Sequence, residues 1–244
     1  MIKIIQITDP HLTKDKNTEI RACKTYSSFK RVIHWIDRNE KPNFILVSGD
    51  ISDDGSIESY LLYKNKIESL NKPFFSILGN HDNHNNFKLI FQSNFPIVRS
   101  ISLSDEWVLI VLDSSVTGKE GGMLTNNQLK KIRKLIEINL HKNLIFCLHH
   151  QPIEMGFWID EIGLQNKDQF LSLILDKPNV KAVVWGHVHH ESETTLGSIQ
   201  FLSTPSTCYQ FQENKQSVSK NKPGYRKINL FKSGRLTTSV VRVD

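Results

Sequence analysis

The sequence predicts a single α/β domain. Short apolar runs rich in β-branched residues alternate with segments of helical period, and 244 residues are enough to bury one sizeable core. Five polar segments bearing His, Asp and Asn fall just past the ends of those runs, the edge at which open α/β sheets place their ligands.

In chain order, strands are expected at Ile2–Thr8, Phe44–Ser48, Phe74–Leu78, Val108–Asp113, Leu144–His149, Val180–Trp185 and Ile199–Ser203. Between the first two, Phe29, Val32, Ile33 and Ile36 follow the i, i+3, i+4, i+7 spacing of one buried helical face over Thr25–Asn39, which Lys41-Pro42 ends. Thr125 with Gln128 reads as a capping box opening a second helix with Leu129, Ile132, Leu135 and Ile136 on one side. A shorter helix is expected at Asp168–Leu175. After Gly186 two hairpins follow, Glu191–Leu196 with Ile199–Ser203 and Tyr225–Phe231 with Leu236–Val243. Between them the polar stretch Gln210–Lys222 reads as a mobile loop, and residues 205–224 as a cap or mobile loop within the domain.

Composition excludes several classes. Apolar residues make up 39% and charged residues 23%, ordinary for a globular protein, and no apolar run approaches the ~20 residues of a membrane-spanning helix. The first residues are too short and too polar for a secretory segment. Cys23, Cys147 and Cys208 are odd in number and widely spaced, so no disulfide framework is expected and a reducing cytoplasm fits. The formal charge is +6, but the basic residues are scattered, which does not favour nucleic acid as a partner; a mild positive field still draws in phosphate.

The chemistry lies in Asp9-Pro-His11, Gly49-Asp50, Gly79-Asn-His-Asp82, His149-His-Gln-Pro152 and Gly186-His-Val-His189. Each alone is weak, since a Gly-Asp is usually a turn and a lone His near a strand end is usually a hydrogen-bonded residue. All five in this order point to a metal site with carboxylates able to bridge and imidazoles able to hold transition metals. Extended backbone in Asp9-x-His11 and His187-x-His189 would send alternate side chains to one cavity, with Pro10 and Val188 facing away. Gly49, Gly79 and Gly186 suit the tight turns that release the chain from the sheet.

These segments resemble the signature of the calcineurin-like metallophosphoesterase superfamily over residues 9 to 189. The resemblance implies a four-layer α/β/β/α sandwich of two mixed sheets. It implies one metal held by Asp9, His11, Asp50 and His189 and a second by Asp50, Asn80, His150 and His187, Asp50 bridging. His150 is preferred to His149 because the ligand histidine of the family stands two residues before a proline, here Pro152. The ions would be iron, manganese, zinc or cobalt. Hydrolysis would proceed by in-line attack of a metal-bridging hydroxide. His81 matches the histidine that stabilises the transition state or protonates the leaving oxygen. Asp53 would orient it, although Asp54 or Asp82 offers the same group and Asp53 also suits a helix cap.

Three further stretches, Leu112-Asp-Ser114 with Gly121-Gly-Met-Leu124, Gly156 to Asn166, and Thr204 to Phe211, are similar to class III cyclic-nucleotide phosphodiesterases of the bacterial cyclic-AMP type. That implies conversion of a 3′,5′-cyclic nucleotide, cyclic AMP foremost, to the 5′-monophosphate, with Asn80, His81, Trp158 and His189 facing the substrate. Trp158 either stacks on the base or packs its loop against the core. Cys208 reads as a small buried residue. Related enzymes with the same ligands cleave 2′,3′-cyclic nucleotides, glycerophosphodiesters or nucleic acid; a non-catalytic protein-binding scaffold fits poorly with an intact ligand set. The C-terminal strands and the polar loop offer either a homodimer contact or a lid as a further expectation.

Overall fold

The structure is a computed structural model that describes residues 1–91, 98–212, 218–219 and 222–244. The chain opens with β1 (Ile2–Ile7), a small hairpin β2 (Glu19–Ile20) and β3 (Cys23–Lys24), α1 (Thr25–Asn39), β4 (Phe44–Ser48), α2 (Ile57–Glu68), β5 (Phe74–Ile77) and α3 (His84–Phe91). It continues with β6 (Val98–Ser102), β7 (Trp107–Leu112), α4 (Asn126–Ile138), β8 (Asn143–Cys147), a 3-10 helix (Trp158–Ile162), α5 (Lys167–Ile174) and β9 (Val180–Trp185). Last come β10 (Ser192–Leu196), β11 (Ile199–Ser203), β12 (Gln210–Phe211), β13 (Val218–Ser219), β14 (Gly224–Leu230) and β15 (Leu236–Arg242).

Two mixed sheets result, in the orders β15-β14-β1-β4-β5 and β10-β11-β9-β8-β7-β6. Strands β1, β4, β5 and β7, β8, β9, β11 run parallel; antiparallel strands close both edges of the second sheet and the β15 edge of the first, whose other edge is the parallel strand β5. The period-2 alternation of each strand divides its side chains between two cores. Ile4, Phe44 and Leu46 of the first sheet meet Leu109, Ile145, Ala182 and Val184 of the second between the sheets. Ile5, Ile7, Ile45 and Val47 face outward onto Phe29, Val32 and Ile36 of α1 and Tyr60, Tyr63 and Ile67 of α2. On the far side Ile110, Phe146 and Val183 face Ile132 and Ile136 of α4 and Phe170 and Ile174 of α5. Three stacked cores make the four-layer α/β/β/α sandwich that the resemblance implied.

The predicted strands and both hairpins form, and Thr125 with Gln128 makes the expected capping box. Helix α2 was not expected. Its inner face is Ser59, Tyr60, Tyr63 and Ile67, a polar-edged stripe that lacks the aliphatic periodicity a helix normally announces. Its cap is visible only with hindsight, the Ser56 side chain accepting from the Ser59 N–H. Of the stretch Gln210–Lys222, residues 213–217, 220 and 221 lie outside the described residues, while Gln210–Phe211 pairs with Val218–Ser219. No helix among the described residues is long and apolar enough to cross a membrane.

Arg226 of β14 ties the sheets together at the edge. Its side chain is 1% exposed and donates to the carbonyls of Ser203 and Ser192 and to Thr238 Oγ1 at 2.6 to 3.1 Å. Burial lowers its pKa to about 10, so it is still charged at neutral pH. Arg226→Met should therefore cost about 3 kcal/mol by leaving those carbonyls unpaired, read as a fall of roughly 6–12 °C in Tm. Glu40, at the end of α1, contacts Lys3 and accepts from Tyr225 Oη at 2.8 Å, with Lys227 Nζ at 3.5 Å. Burial alone would raise its pKa, but Lys3, Tyr225 and Lys227 outweigh it and hold the carboxyl below its ordinary 4.5. Its stabilising share is then full above that value and lost as the pH falls through the lowered one. The stability gap between wild type and Glu40→Gln should be widest near neutrality and close in acid, measured by urea unfolding across pH.

Candidate metal centre

The five polar segments converge where β1, β4, β5, β8 and β9 end. The parallel pairing of β1 with β4 continues beyond both strands as a ladder between loops, Asp9 N to Gly49 O, His11 N to Asp50 O and Leu12 N to Ile51 O, each 3.0 Å. This sets Asp9 and His11 beside Asp50.

The expected extended backbone is not what aims these groups. Asp9, His11, Asp50, His187 and His189 all have left-handed φ, between 44° and 63°. Asp and His tolerate that region better than most residues, at about 1–2 kcal/mol each, and the repeated reversals turn both ends of each x-centred triplet into the cavity. Val188 is driven into the core on the other side. Two of the glycines serve close approach rather than turn geometry. A Cβ on Gly79 would stand 2.2 Å from Asp50 Oδ1 and 2.6 Å from His149 Nε2, and one on Gly186 would stand 2.1 Å from Thr8 Oγ1. Asp82 locks the Gly79 loop to the Asp50 loop, accepting the N–H groups of Gly79, Ile51 and Ser52 and the Tyr60 hydroxyl at 2.9 to 3.1 Å.

Three imidazoles share one design. His11 Nδ1 bonds Asp53 Oδ1 at 2.9 Å, His149 Nδ1 bonds the Ser48 carbonyl at 2.8 Å, and His189 Nδ1 bonds the Tyr209 carbonyl at 2.9 Å. Each acceptor places the ring hydrogen on Nδ1 and leaves an Nε2 lone pair. Those Nε2 atoms gather on the two buried carboxylates. His189 lies 3.3 Å from Asp9 Oδ1, His149 lies 3.3 Å from Asp50 Oδ2 and 3.2 Å from Asn80 Oδ1, and His11 lies 3.6 Å from Asp50 Oδ2. His187 reverses the arrangement, donating from Nε2 to the Ile162 carbonyl at 3.1 Å and keeping Nδ1.

Of the His149-His150 pair, His149 is the one that faces the carboxylates. His150 had been expected there, but both its nitrogens are engaged elsewhere, Nδ1 with Ser114 Oγ at 2.8 Å and Nε2 with the Glu120 carbonyl at 3.0 Å. Its ring lies 4.6 Å from that of His187, and His150 groups with His149 and His187 rather than with the two carboxylates. β8 stops at Cys147, and a one-residue difference in register beyond it exchanges the two rings.

The electrostatics suit cations. Burial opposes charge on Asp9 and Asp50, yet the surrounding imidazoles outweigh it and keep both carboxyls below the usual range, Asp50 far below. Burial likewise opposes charge on His149, but Asp50 and Asp9 raise it to about 9. Burial, with help from neighbouring histidines, holds His187 and His189 down and takes His150 to about 3. Ionised carboxylates, an amide oxygen and imidazoles with free lone pairs are the donor set of transition-metal ions. His11 Nε2 and His189 Nε2 are 3.0 Å apart, the separation of adjacent ligands about 2.1 Å from one ion.

The cavity over this centre holds about 210 Å³. His11, Asp50, Asn80 and His81 form its floor, and Trp158, Tyr209 and Phe211 a wall. His81 is anchored through its N–H to Asp50 Oδ1 at 3.0 Å, while its half-exposed ring sets Nδ1 3.4 Å from Asp53 Oδ1. Asp53 thus serves two histidines through one oxygen. The alternatives for that role are spent elsewhere, Asp54 on the N–H groups of Lys14 and Ser56 and Asp82 on the clasp above. Trp158 donates from Nε1 to the Gln212 carbonyl at 3.0 Å and meets Phe211 edge-on at 5.0 Å. Tyr209 and Phe211 lie in the Thr204–Phe211 stretch that carried the narrower resemblance but had no role assigned there, and Arg21 was not singled out, because nothing local marks a hairpin arginine as cavity lining.

A family model described as calcineurin-like phosphoesterase matches residues 2–191. Over its full length the chain is 33% identical to a 3′,5′-cyclic adenosine monophosphate phosphodiesterase of Haemophilus influenzae, covering 91% of that protein. A 3′,5′-cyclic-nucleotide phosphodiesterase of a Nostoc species is 32% identical over 99% of this chain and 92% of its own. Among solved structures, a dimetal phosphatase from Danio rerio superposes with a TM-score of 0.72 at 13% identity, covering 100% of this chain and 99% of that one, a likeness of fold.

Gly79→Ala tests the close approach. The added methyl must displace Asp50 or His149, so the variant should fold yet bind fewer metal equivalents than wild type by elemental analysis. Full metal content would show that the loop yields freely.

Proposed function

Since the chain belongs to the calcineurin-like phosphoesterase family, we propose that it hydrolyses 3′,5′-cyclic nucleotides, cyclic AMP foremost, to 5′-monophosphates. The observation that carries this reading is the convergence of two buried carboxylates and three outward-facing Nε2 atoms beneath an aromatic-walled cavity. Full-length similarity to relatives named for that activity supports the substrate class.

In our assignment Asp9, His11, Asp50 and His189 would hold one ion and Asp50, Asn80, His149 and His187 would hold the other. Iron, manganese, zinc and cobalt all suit such oxygen and nitrogen donors. When bound, the pair supplies Lewis acidity to the phosphodiester and lowers the pKa of water. The chain contributes the rest. Nδ1 contacts with Asp53, Ser48 and Tyr209 fix three ligand rings before anything binds. His81 faces the cavity from the floor and gives a proton from Nε2 to the departing O3′ as the P–O3′ bond breaks. Asp53 Oδ1 faces Nδ1 and orients the ring so that Nε2 points towards that leaving oxygen. Trp158 and Phe211 narrow the opening and limit water around the reacting group. All three cysteines are free thiols, in keeping with a cytoplasmic setting.

The test is turnover by the metal-loaded protein of cyclic AMP, 2′,3′-cyclic AMP, an aryl diester, an aryl monoester and single-stranded DNA. We expect cyclic AMP to give the highest kcat/KM; activity confined to monoesters would sink the proposal. Loss of an outer partner costs about 10–100-fold, so His149→Ala should exceed that and lose one metal equivalent. His150→Ala should keep both ions and lose less than about tenfold. If the two variants exchanged behaviour, the ligand assignment would be the wrong one of the pair.

A further inference from the structure

The β2–β3 hairpin is unusual in both sequence and position. Its strands pair Glu19 with Lys24 and Ile20 with Cys23, leaving Arg21 and Ala22 as the two turn residues. Both have left-handed φ, 48° and 59°. Two-residue hairpin turns of this hand favour Asn-Gly or Asp-Gly, so an arginine here occupies a position its backbone does not prefer. Strained positions of that kind cluster at ligand clamps.

Arg21 is also where a ligand would meet it. Among the described residues that line the cavity, it is the one Lys or Arg side chain. Its guanidinium lies 5.3 Å from the centroid of the Phe211 ring and 5.8 Å from that of Tyr209. Phe211 in turn stacks on His189, centroids 4.2 Å apart and planes 19° from parallel, and Trp158 abuts Phe211. A run of flat groups therefore leads from the carboxylate floor to the hairpin. The floor already supplies the groups that deal with a phosphodiester, and the ion-pair contacts of Asp9 and Asp50 are with histidines. A planar cation held against aromatic faces is suited to a π-system rather than to a point charge.

We propose that Arg21, together with Trp158 and Phe211, forms the seat for the nucleobase, making Arg21 a specificity residue of the reaction. The inference rests on the cyclic-nucleotide reading above. Arginine is needed for its plane as well as its charge, so lysine is not an adequate substitute.

The test uses Arg21→Gly and Arg21→Lys. Glycine accepts the left-handed turn, so Arg21→Gly removes the cation without disturbing the hairpin, and its Tm should not fall below that of wild type. Inhibition constants for adenosine and for inorganic phosphate are measured against turnover of bis(p-nitrophenyl) phosphate, a reporter that does not presuppose cyclic-nucleotide activity. Loss of a base–cation stacking contact is worth about tenfold. Adenosine should thus inhibit about tenfold less well in both variants, phosphate should inhibit as in wild type, and KM for cyclic AMP should rise with kcat little changed. Unaltered adenosine inhibition would overturn the proposal, as would phosphate inhibition weakened as much as adenosine inhibition, which would make Arg21 a phosphate contact. A wild-type protein that is inhibited by phosphate but neither binds adenosine nor turns over cyclic AMP would instead remove the cyclic-nucleotide reading beneath it.

Discussion

Two ionised carboxylates, Asp9 and Asp50, are buried at the ends of adjacent parallel strands, and the architecture around them follows from that fact. Asp50 opposes ionisation of Asp9, burial opposes it in both, and both are taken out of water. Such a pair is costly unless positive charge is supplied at close range. The fold supplies imidazoles whose far nitrogens are committed to fixed acceptors, so that their near nitrogens have nothing to do except meet a proton or a cation. The carboxylates favour the protonated form of His149, whose pKa rises to about 9, and, together with Asp53, they raise that of His11. The same field that favours those protons favours metal ions, and the two compete for the same lone pairs.

Holding this arrangement takes strain and tight clearances. Asp9, His11, Asp50, His187 and His189 adopt left-handed backbone, and Gly79 and Gly186 leave no room for a methyl group. Those costs are sustained by a rigid frame of three stacked cores, the loop ladder from β1 to β4 and the Asp82 clasp. Strain at the site is offset by packing some distance from it.

The sequence made the chemistry more legible than the geometry. Asp9, His11, Asp50, Asn80, His187 and His189 are recognisable because residue type and order survive any uncertainty in conformation. His149 and His150 are adjacent and identical, so only the register past β8 separates them, and that register depends on partners as distant as Ser48 and Glu120. Local extended geometry was the natural expectation for Asp-x-His, and it failed because the loop ladder dictates φ there. For the fold, aliphatic periodicity exposed α1 and α4, whereas α2 packs through Tyr60 and Tyr63, whose hydroxyls find Asp82, Asn83 and Ser76 only in three dimensions.

The cavity illustrates the limit of local reading most clearly. Its floor comes from motifs, but its wall is assembled from the 3-10 helix at Trp158, the segment after β11 and the β2–β3 hairpin, three regions distant in the chain. Hydrolysis of a phosphodiester requires only the floor. Selection among phosphodiesters requires the wall, because the reacting group is common to all of them and the remainder of the substrate is what differs. A chain can therefore keep the floor intact while the hairpin, the 3-10 helix and the segment after β11 change, and substrate preference in such a fold should track residues like Arg21 rather than the ligands themselves.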